Sequence, residues 1–303
     1  ITRTSETIDE LAMSCVATKD YPRATFSGFT KRLRPKKEGI AYPKYMAFYF
    51  RSDLFRKAVT NNAFMTLRAS FNEDIFTFLD VFLPDYDEQV RIGDMLYAVE
   101  CKIQKNKEIN DYLEQQALLI FRYMFKNISN GSNHVGDYIT PKRGKALLSK
   151  DAIPGQFPVI AGGLLPATYH NRANTVAPVL TISGSGANAG YVNIWHDPIW
   201  SSDSSFIDYE MTTNVYFWYA FLKLRQQDIF DIQTGSAQPH IYPKHIAELS
   251  IGNMDRFQIA SYITQVTPLF TKAGANIRET KRLQQLRDWL LPLLMTGQVT
   301  IED

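Results

Sequence analysis

The stretch 85–126, DYDEQVRIGDMLYAVECKIQKNKEINDYLEQQALLIFRYMFK, decides how the rest of the chain is read. Its apolar and small residues fall at Ile92, Leu96, Val99 and Ile103, then at Leu113, Ala117, Ile120 and Met124, in alternating steps of four and three. Asn106 and Asn110 fill the two seam positions between these runs. That spacing predicts a coiled-coil helix with a polar interruption. Asp85, Asp87 and Glu88 stand where acidic side chains favour a helix N-terminus, and that role outweighs a nuclease reading of the same cluster. A second stretch, 255–295, keeps the rhythm at Ile259, Ile263, Val266, Phe270, Ala273 and Ile277. After a shift of phase, Leu283, Leu286, Leu290 and Leu293 resume it. Gly274 makes this copy less regular, and Pro268 is expected to kink it or to end a first short piece.

Two such helices point to an internal repeat, and the segments ahead of them correspond as well. Ile1-Thr2-Arg3-Thr4-Ser5 matches Thr181-Ile182-Ser183-Gly184-Ser185, each a strand end running into a polar loop. Tyr42-Pro43-Lys44-Tyr45-Met46-Ala47-Phe48-Tyr49-Phe50 matches Thr213-Asn214-Val215-Tyr216-Phe217-Trp218-Tyr219-Ala220-Phe221, an aromatic helix with a polar start. Phe71-Asn72-Glu73-Asp74-Ile75 matches Ile241-Tyr242-Pro243-Lys244-His245-Ile246, each leading into a strand that delivers the chain to its long helix. The offset is roughly 170 to 180 residues throughout, about one domain plus one helix. On that register about 45 residues of the second copy, roughly 135–179, have no counterpart before Ile1, so the first copy is expected to lack its N-terminal part.

Helices of about 40 residues would each span roughly 60 Å if straight. A compact domain over about 131–252 would join the end of one to the start of the other, and antiparallel packing brings those ends together. The expected fold is therefore α/β of the α+β kind, with two recognition domains in a pseudo-two-fold arrangement separated by two long antiparallel helices. Residues 1–83 would be the C-terminal part of the first recognition domain and 84–130 the first long helix. Residues 131–253 would be the second recognition domain, and 254–303 the second helix with a C-terminal tail.

A chain of 303 residues can bury a core in each of two domains. Its 33 basic residues nearly balance 31 acidic ones, so net charge neither demands nor excludes nucleic acid and the distribution decides. Lys31, Arg32 and Arg34, with Lys36 and Lys37, cluster in the first half; Lys142, Arg143 and Lys145 cluster in the second. Either cluster could neutralise several phosphates, with a steep salt dependence, and either alone reads equally well as a solvated face. Strand alternation along 26–34 would put Arg32 and Arg34 on the opposite face from Lys31. Cys15 and Cys101 make no disulfide framework, and neither they nor His134, His170, His196, His240 and His245 show zinc-ligand spacing. Gly144-Lys145 is followed by Ala146, which excludes a phosphate-binding P-loop, and no serine or cysteine sits in a nucleophile elbow. No catalytic residue, metal or cofactor is expected. Without a transmembrane run or a signal peptide, a reducing cytoplasmic setting is the default expectation.

Two small-residue loops stand out. Gly184-Ser185-Gly186, with Gly190, follows the apolar run 179–182, and Asp203 lies about twenty residues on. The glycine spacing is wrong for a dinucleotide site, and Tyr191-Val192-Asn193-Ile194-Trp195 alternates like a strand instead of opening a helix. A hairpin loop through which backbone approaches DNA phosphates is expected, with Ser183, Ser185 and Asn188 as contacts; the bland alternative is a tight turn. In the loop 235–240, Ser236 is a polar candidate, Gln238 could pair with an adenine, and His240 could donate to a phosphate or base. Pro239 would stiffen that loop, which otherwise reads as packing against the start of the long helix. Arg3, and Arg172 beside Tyr169 and Asn171, are further DNA candidates from their polar loops. Tyr112, Leu119, Phe121, Phe125, Trp289 and Leu291 exceed what one helical seam can bury, which makes them candidates for contact with a partner's helices.

In these segments the chain resembles the specificity subunits of type I restriction-modification systems. Phe26-Ser27-Gly28-Phe29-Thr30-Lys31-Arg32-Leu33-Arg34-Pro35 looks like a strand of their target-recognition domains. Leu83-Pro84, followed by Glu88-Gln89 and Ile92, looks like the start of a conserved-region helix. The segments 182–191 and 235–241 are the most specific, and Leu293-Leu294-Met295-Thr296-Gly297-Gln298-Val299 fits the C-terminal helix and tail. The departure is the N-terminal part of the first domain. The resemblance implies a non-catalytic subunit that reads an asymmetric, two-part site on double-stranded DNA. It also implies two modification (methyltransferase) subunits docked on the helices and restriction/translocase subunits joining the assembly. S-adenosylmethionine, ATP and metal would belong to those partners. With roughly 50–60 Å between domain centres, the half-sites would lie about one and a half turns of B-DNA apart. The competing reading is a coiled-coil scaffold whose end domains bind proteins. A stand-alone modification enzyme is disfavoured, because no Asn-Pro-Pro-Tyr motif occurs in the chain.

Overall fold

Asp85 starts the first long helix as its acidic context suggests: its Oδ1 accepts the Glu88 N–H at 2.8 Å, and its backbone oxygen accepts that of Gln89. Asp255 starts the second in the same way, accepting the N–H groups of Phe257 at 2.8 Å and Gln258 at 3.3 Å. The computed structural model describes residues 1–62, 64–65, 69–70, 79–235 and 237–301. Its helices are α1 (Pro43–Tyr49), α2 (Asp53–Asn62), α3 (Tyr86–Met124), α4 (Val215–Leu224), α5 (Gln226–Asp231), α6 (Pro243–Ala247) and α7 (Arg256–Met295). Its strands are β1 (Thr4–Ser5), β2 (Phe64–Met65), β3 (Ala69–Ser70), β4 (Asn133–His134), β5 (Lys142–Arg143), β6 (Phe157–Ile160), β7 (Thr168–His170), β8 (Val179–Ser183), β9 (Val192–Trp195), β10 (Trp200–Ser201), β11 (Ser204–Asp208) and β12 (Ser250–Ile251). The fold is α+β, as expected, and it divides into two compact units. Unit 1 comprises Ile1–Asn106 with Arg278–Asp303, and unit 2 comprises Lys107–Ile277, so each unit holds part of both long helices.

In unit 1 the helix segments run antiparallel. Ile92 and Leu96 share a core with Leu294 and Met295, and Arg287 reaches Glu100 at 2.7 Å. Asn106 is buried and donates to Glu279 at 2.9 Å, so the polar seam position is occupied by a hydrogen bond. Pro43 opens α1, where its fixed φ suits the first turn, and Tyr45, Phe48 and Tyr49 turn one face into the same core. Gln89 fastens this unit: its Oε1 accepts the Tyr42 N–H at 3.0 Å, and its Nε2 donates to the carbonyls of Ile40 and Pro84. The strands here are short, with β3 between β1 and β2, both antiparallel to it. The expected strand over 26–35 does not form. Ser27 and Thr30 close a turn, and the segment pairs with the chain start only through an isolated Thr2–Thr30 bridge. Without a longer partner, its backbone hydrogen bonds among the described residues are limited to that turn and to Ile1 and Arg3 of the chain start.

Unit 2 is built on a four-stranded antiparallel sheet of order β5-β11-β8-β9. β8 and β11 are buried along their whole length, polar residues included. A second sheet, β10-β6-β7, carries a parallel β10–β6 pair. β4 pairs with β12, so the segments next to α3 and α7 are joined side by side. The Tyr262 hydroxyl donates to the Ala117 carbonyl at 3.2 Å, and Asn276 donates to Asn110 at 2.9 Å. The helix segments of this unit are thus antiparallel too, and Asn110 is matched by an asparagine across the seam. Helix α7 continues through Pro268, so that residue does not end a first piece.

The aromatic helix α4 is buried nearly all round, and Phe217 meets Phe121 and Phe125 with ring centroids 5.3 Å apart. Phe121 and Phe125 are therefore core, not partner-facing. The sheet-and-helix domain, not only the opposing helix, covers this side of α3. The matched helices α1 and α4 both exist, while 71–75 lies outside the described residues.

Candidate nucleic-acid interface

The two loops singled out separately in the sequence are stitched together in unit 2. The hairpin joining β8 to β9 closes with Ser183 N–H to Tyr191 O at 3.0 Å and Gly190 N–H to Ser183 O at 2.8 Å. The 234–240 loop closes on itself with Thr234 and His240 exchanging backbone hydrogen bonds of 3.0 and 2.8 Å. Gly186 then donates to the Pro239 carbonyl and Ile241 to the Gly184 carbonyl, both at 3.0 Å, across an isolated Ser185–His240 bridge. Gly235 has φ +95°, and an added Cβ there would lie 2.5 Å from the Gln238 carbonyl oxygen. Only glycine meets that conformation without strain.

Beneath the loop pair lies a polar array. β5 presents Arg143, opposite Ser205 of β11, and the Arg143 guanidinium pairs with Asp203 Oδ1. Asp203 Oδ2 accepts the Ser185 hydroxyl, and its backbone oxygen accepts the Gly184 N–H at 3.0 Å. A Cβ at Gly184 would stand 2.4 Å from Arg143 Nη1 and 2.8 Å from Asp203 Oδ1, so the missing side chain makes room for this pair. The Arg143 guanidinium centre is 6.0 Å from the Tyr242 ring, which stacks on His240 at 6.0 Å and 16°. Arg143 and Asp203 keep 39% and 37% of their side chains exposed. Around them Lys142, Lys145 and Gln238 are exposed and Asn188 partly so.

Of the expected contacts, Ser185, Gln238, His240 and Arg143 are brought together. Ser183 is not available: it is buried in β8, opposite Ser204 of β11, and both its backbone groups are bonded within the β8–β9 hairpin. Ser236 lies outside the described residues. Arg172 is exposed in the turn after β7. In unit 1, Arg3 donates its N–H to Phe29 O at 2.7 Å and Lys31 to Ile1 O at 2.8 Å, which joins Arg3 to the first basic cluster. Arg32, exposed like Arg34, stands 5.3 Å from the Phe26 ring. Asp203 and Tyr242 were missed as site residues. Asp203 enters the sequence reading only through its spacing from the glycine loop, in the excluded dinucleotide motif; β8–β11 pairing and the loop pairing deliver both residues to the site.

Of the expected partner-facing residues, Tyr112, Leu119 and Trp289 are exposed, and Leu291 packs partly against the unit 1 core. Tyr123, one turn beyond Leu119, is 76% exposed and extends that face; the spacing of four could have found it. Among the described residues, no group of three or more His, Cys, Asp or Glu could hold a metal ion, and no helix is long and apolar enough to cross a membrane.

No protein-family model matches the chain, and no curated protein matches it. Among solved structures it is similar to the S subunit of a type I restriction-modification system from M. genitalium, with 20% sequence identity and a TM-score of 0.57 over 83% of this chain and 72% of that one. It is also similar to the HsdS subunit from Thermoanaerobacter tengcongensis, with 14% identity and a TM-score of 0.36 over 86% of this chain and 71% of that one. The first comparison establishes the fold.

Proposed function

We propose that this chain is a non-catalytic DNA specificity subunit of a type I restriction-modification complex. The observation that carries the proposal is the stitched loop pair of unit 2, held on a sheet and surrounded by exposed cations and amide side chains. Sites held on sheet and helix scaffolds position side chains well enough to read base edges, while exposed lysines suit phosphates. The likeness in fold to the M. genitalium S subunit supports the same reading. On it, residues 1–83 and 131–253 are the recognition domains of an asymmetric two-part site on double-stranded DNA.

The long helices of 39 and 40 residues, about 58 to 60 Å each at 1.5 Å per residue, set the distance between half-sites. Their exposed Tyr112, Leu119, Tyr123 and Trp289 receive two modification subunits, and restriction subunits complete a cytoplasmic assembly. Cofactors and metal belong to those partners.

Selection from a random DNA pool at two salt concentrations, with and without modification subunits, tests the proposal. A gapped two-part sequence is expected. A single half-site would assign DNA reading to one unit, and no enrichment under any condition would replace the proposal with a protein scaffold. Lengthening both helices by one turn should change the preferred spacer, and an unchanged spacer would remove the ruler.

A further inference from the structure

Resting on that DNA-reading proposal, we infer that Arg143 reads a guanine in the half-site bound by unit 2, with Asp203 as its positioning residue. Three observations lead there. Arg143 sits on β5, the edge strand of the sheet, where pairing with β11 fixes its backbone on one side and leaves the other side open. Its guanidinium is held on one side by the Asp203 carboxylate and faces the Tyr242 ring at 6.0 Å, while much of the side chain stays exposed. Asp203 is itself held, by the Ser185 hydroxyl and through its backbone by Gly184. A guanidinium constrained in this way loses little freedom when it meets a target, and its fork matches guanine O6 and N7.

The charge balance separates a base from a phosphate. Arg143 is neutralised by a carboxylate in direct contact, so a phosphate arriving at the same fork would be repelled by Asp203 at short range. A guanine edge offers two acceptors without net charge and meets no such penalty. The exposed Lys142 and Lys145 beside it carry no carboxylate partner among the described ion pairs and suit the phosphates instead. The bare backbone of Gly184 fits the same design, since any side chain there would displace the Arg143–Asp203 pair.

The test uses the full chain with its modification subunits, random-pool selection and salt titration of affinity. Arg143→Lys keeps the charge but loses the fork. It should reduce the preference for guanine at one position by about tenfold or more, with the salt slope unchanged. Asp203→Asn should relax the same position, and it should steepen the salt slope by about one because the released cation can take a phosphate. Uniform loss of affinity in Arg143→Lys, with every base preference kept, would overturn the inference in favour of a phosphate contact. Unchanged preferences and affinity would remove Arg143 from the interface. Unfolding midpoints of both variants guard against a folding defect, and Arg143→Lys decides alone if Asp203→Asn does not fold. Failure of the unsubstituted protein to select any sequence would instead overturn the specificity-subunit proposal itself.

Discussion

Units 1 and 2 both rest on antiparallel helix segments and an aromatic helix, yet they support their polar surfaces differently. In unit 2 the sheet β5-β11-β8-β9 lies under the candidate loops, and each loop is tied to the other by backbone hydrogen bonds. In unit 1 the basic segment around Lys31, Arg32 and Arg34 is tied to the chain start by a few bonds at Ile1, Thr2 and Arg3. The difference teaches that similar clusters of cations acquire different meanings from what holds them. A side chain fixed by a sheet and a carboxylate can discriminate between bases, whereas lysines and arginines on an irregular segment add affinity and salt dependence.

The core under unit 2 is where the comparison can be broken most severely. Phe217→Ala removes a fully buried ring that meets Phe121, Phe125 and Trp218, and should cost about 3–5 kcal/mol in a urea titration. A cost below about 1 kcal/mol would mean that α4 does not anchor the sheet to α3. Gly235→Ala puts a side chain at φ +95° against the Gln238 carbonyl and should cost about 1–3 kcal/mol. It should also blur the half-site read by unit 2, leaving any preference read by unit 1 unchanged in the same selection.

Replacing Lys31, Arg32 and Arg34 together by alanine sharpens the contrast from the other side. Affinity should fall on the order of tenfold for all sequences alike, with a shallower salt slope and no altered base preference. A changed preference at one half-site would show that unit 1 also reads bases with this segment. Tyr45→Phe probes the unit 1 core, where the buried hydroxyl has no hydrogen-bond partner and burial pushes its pKa up to about 12. The substitution should be neutral or stabilise by about 1 kcal/mol at neutral pH, because no bond is lost. A pKa raised in the folded state is a stabilising contribution present below the ordinary tyrosine value of 10.0 and lost as pH rises towards 12, so the variant should also lose less stability in alkali.

The smallest effect is expected at Glu100 in unit 1. Desolvation by burial opposes its ionisation, but hydrogen bonds from Gln104 and Arg287 and the Arg287 charge outweigh this and lower its pKa below 4.5. A depressed carboxylate contributes stability above its unfolded value, and that stability is lost as pH falls through the folded one. Glu100→Gln should therefore cost under about 1 kcal/mol at pH 7 and progressively less as pH falls below 4.5 and through the lowered folded value. An equal cost throughout would show that geometry, not charge, makes the contact.

By itself the sequence determined the long helices, because their signals are local. Alternating steps along the seam, Asp85 at a helix start, and asparagines at Asn106 and Asn110 are all readable within a few turns. The hairpin at Gly184–Gly190 was legible for the same reason, since glycine clusters and a following alternation need no distant partner. Tertiary structure decided the rest. Residues 26–35 have strand composition but found no extended partner, Ser183 was buried in β8 opposite Ser204 of β11, and Phe121 and Phe125 were covered by α4. The Arg143–Asp203–Ser185 array joins a residue of β5, one just before β11 and one in the loop after β8, brought together only by strand pairing. Periodicity and capping are properties of neighbours in sequence, whereas burial and strand pairing depend on which distant segment arrives at the other side.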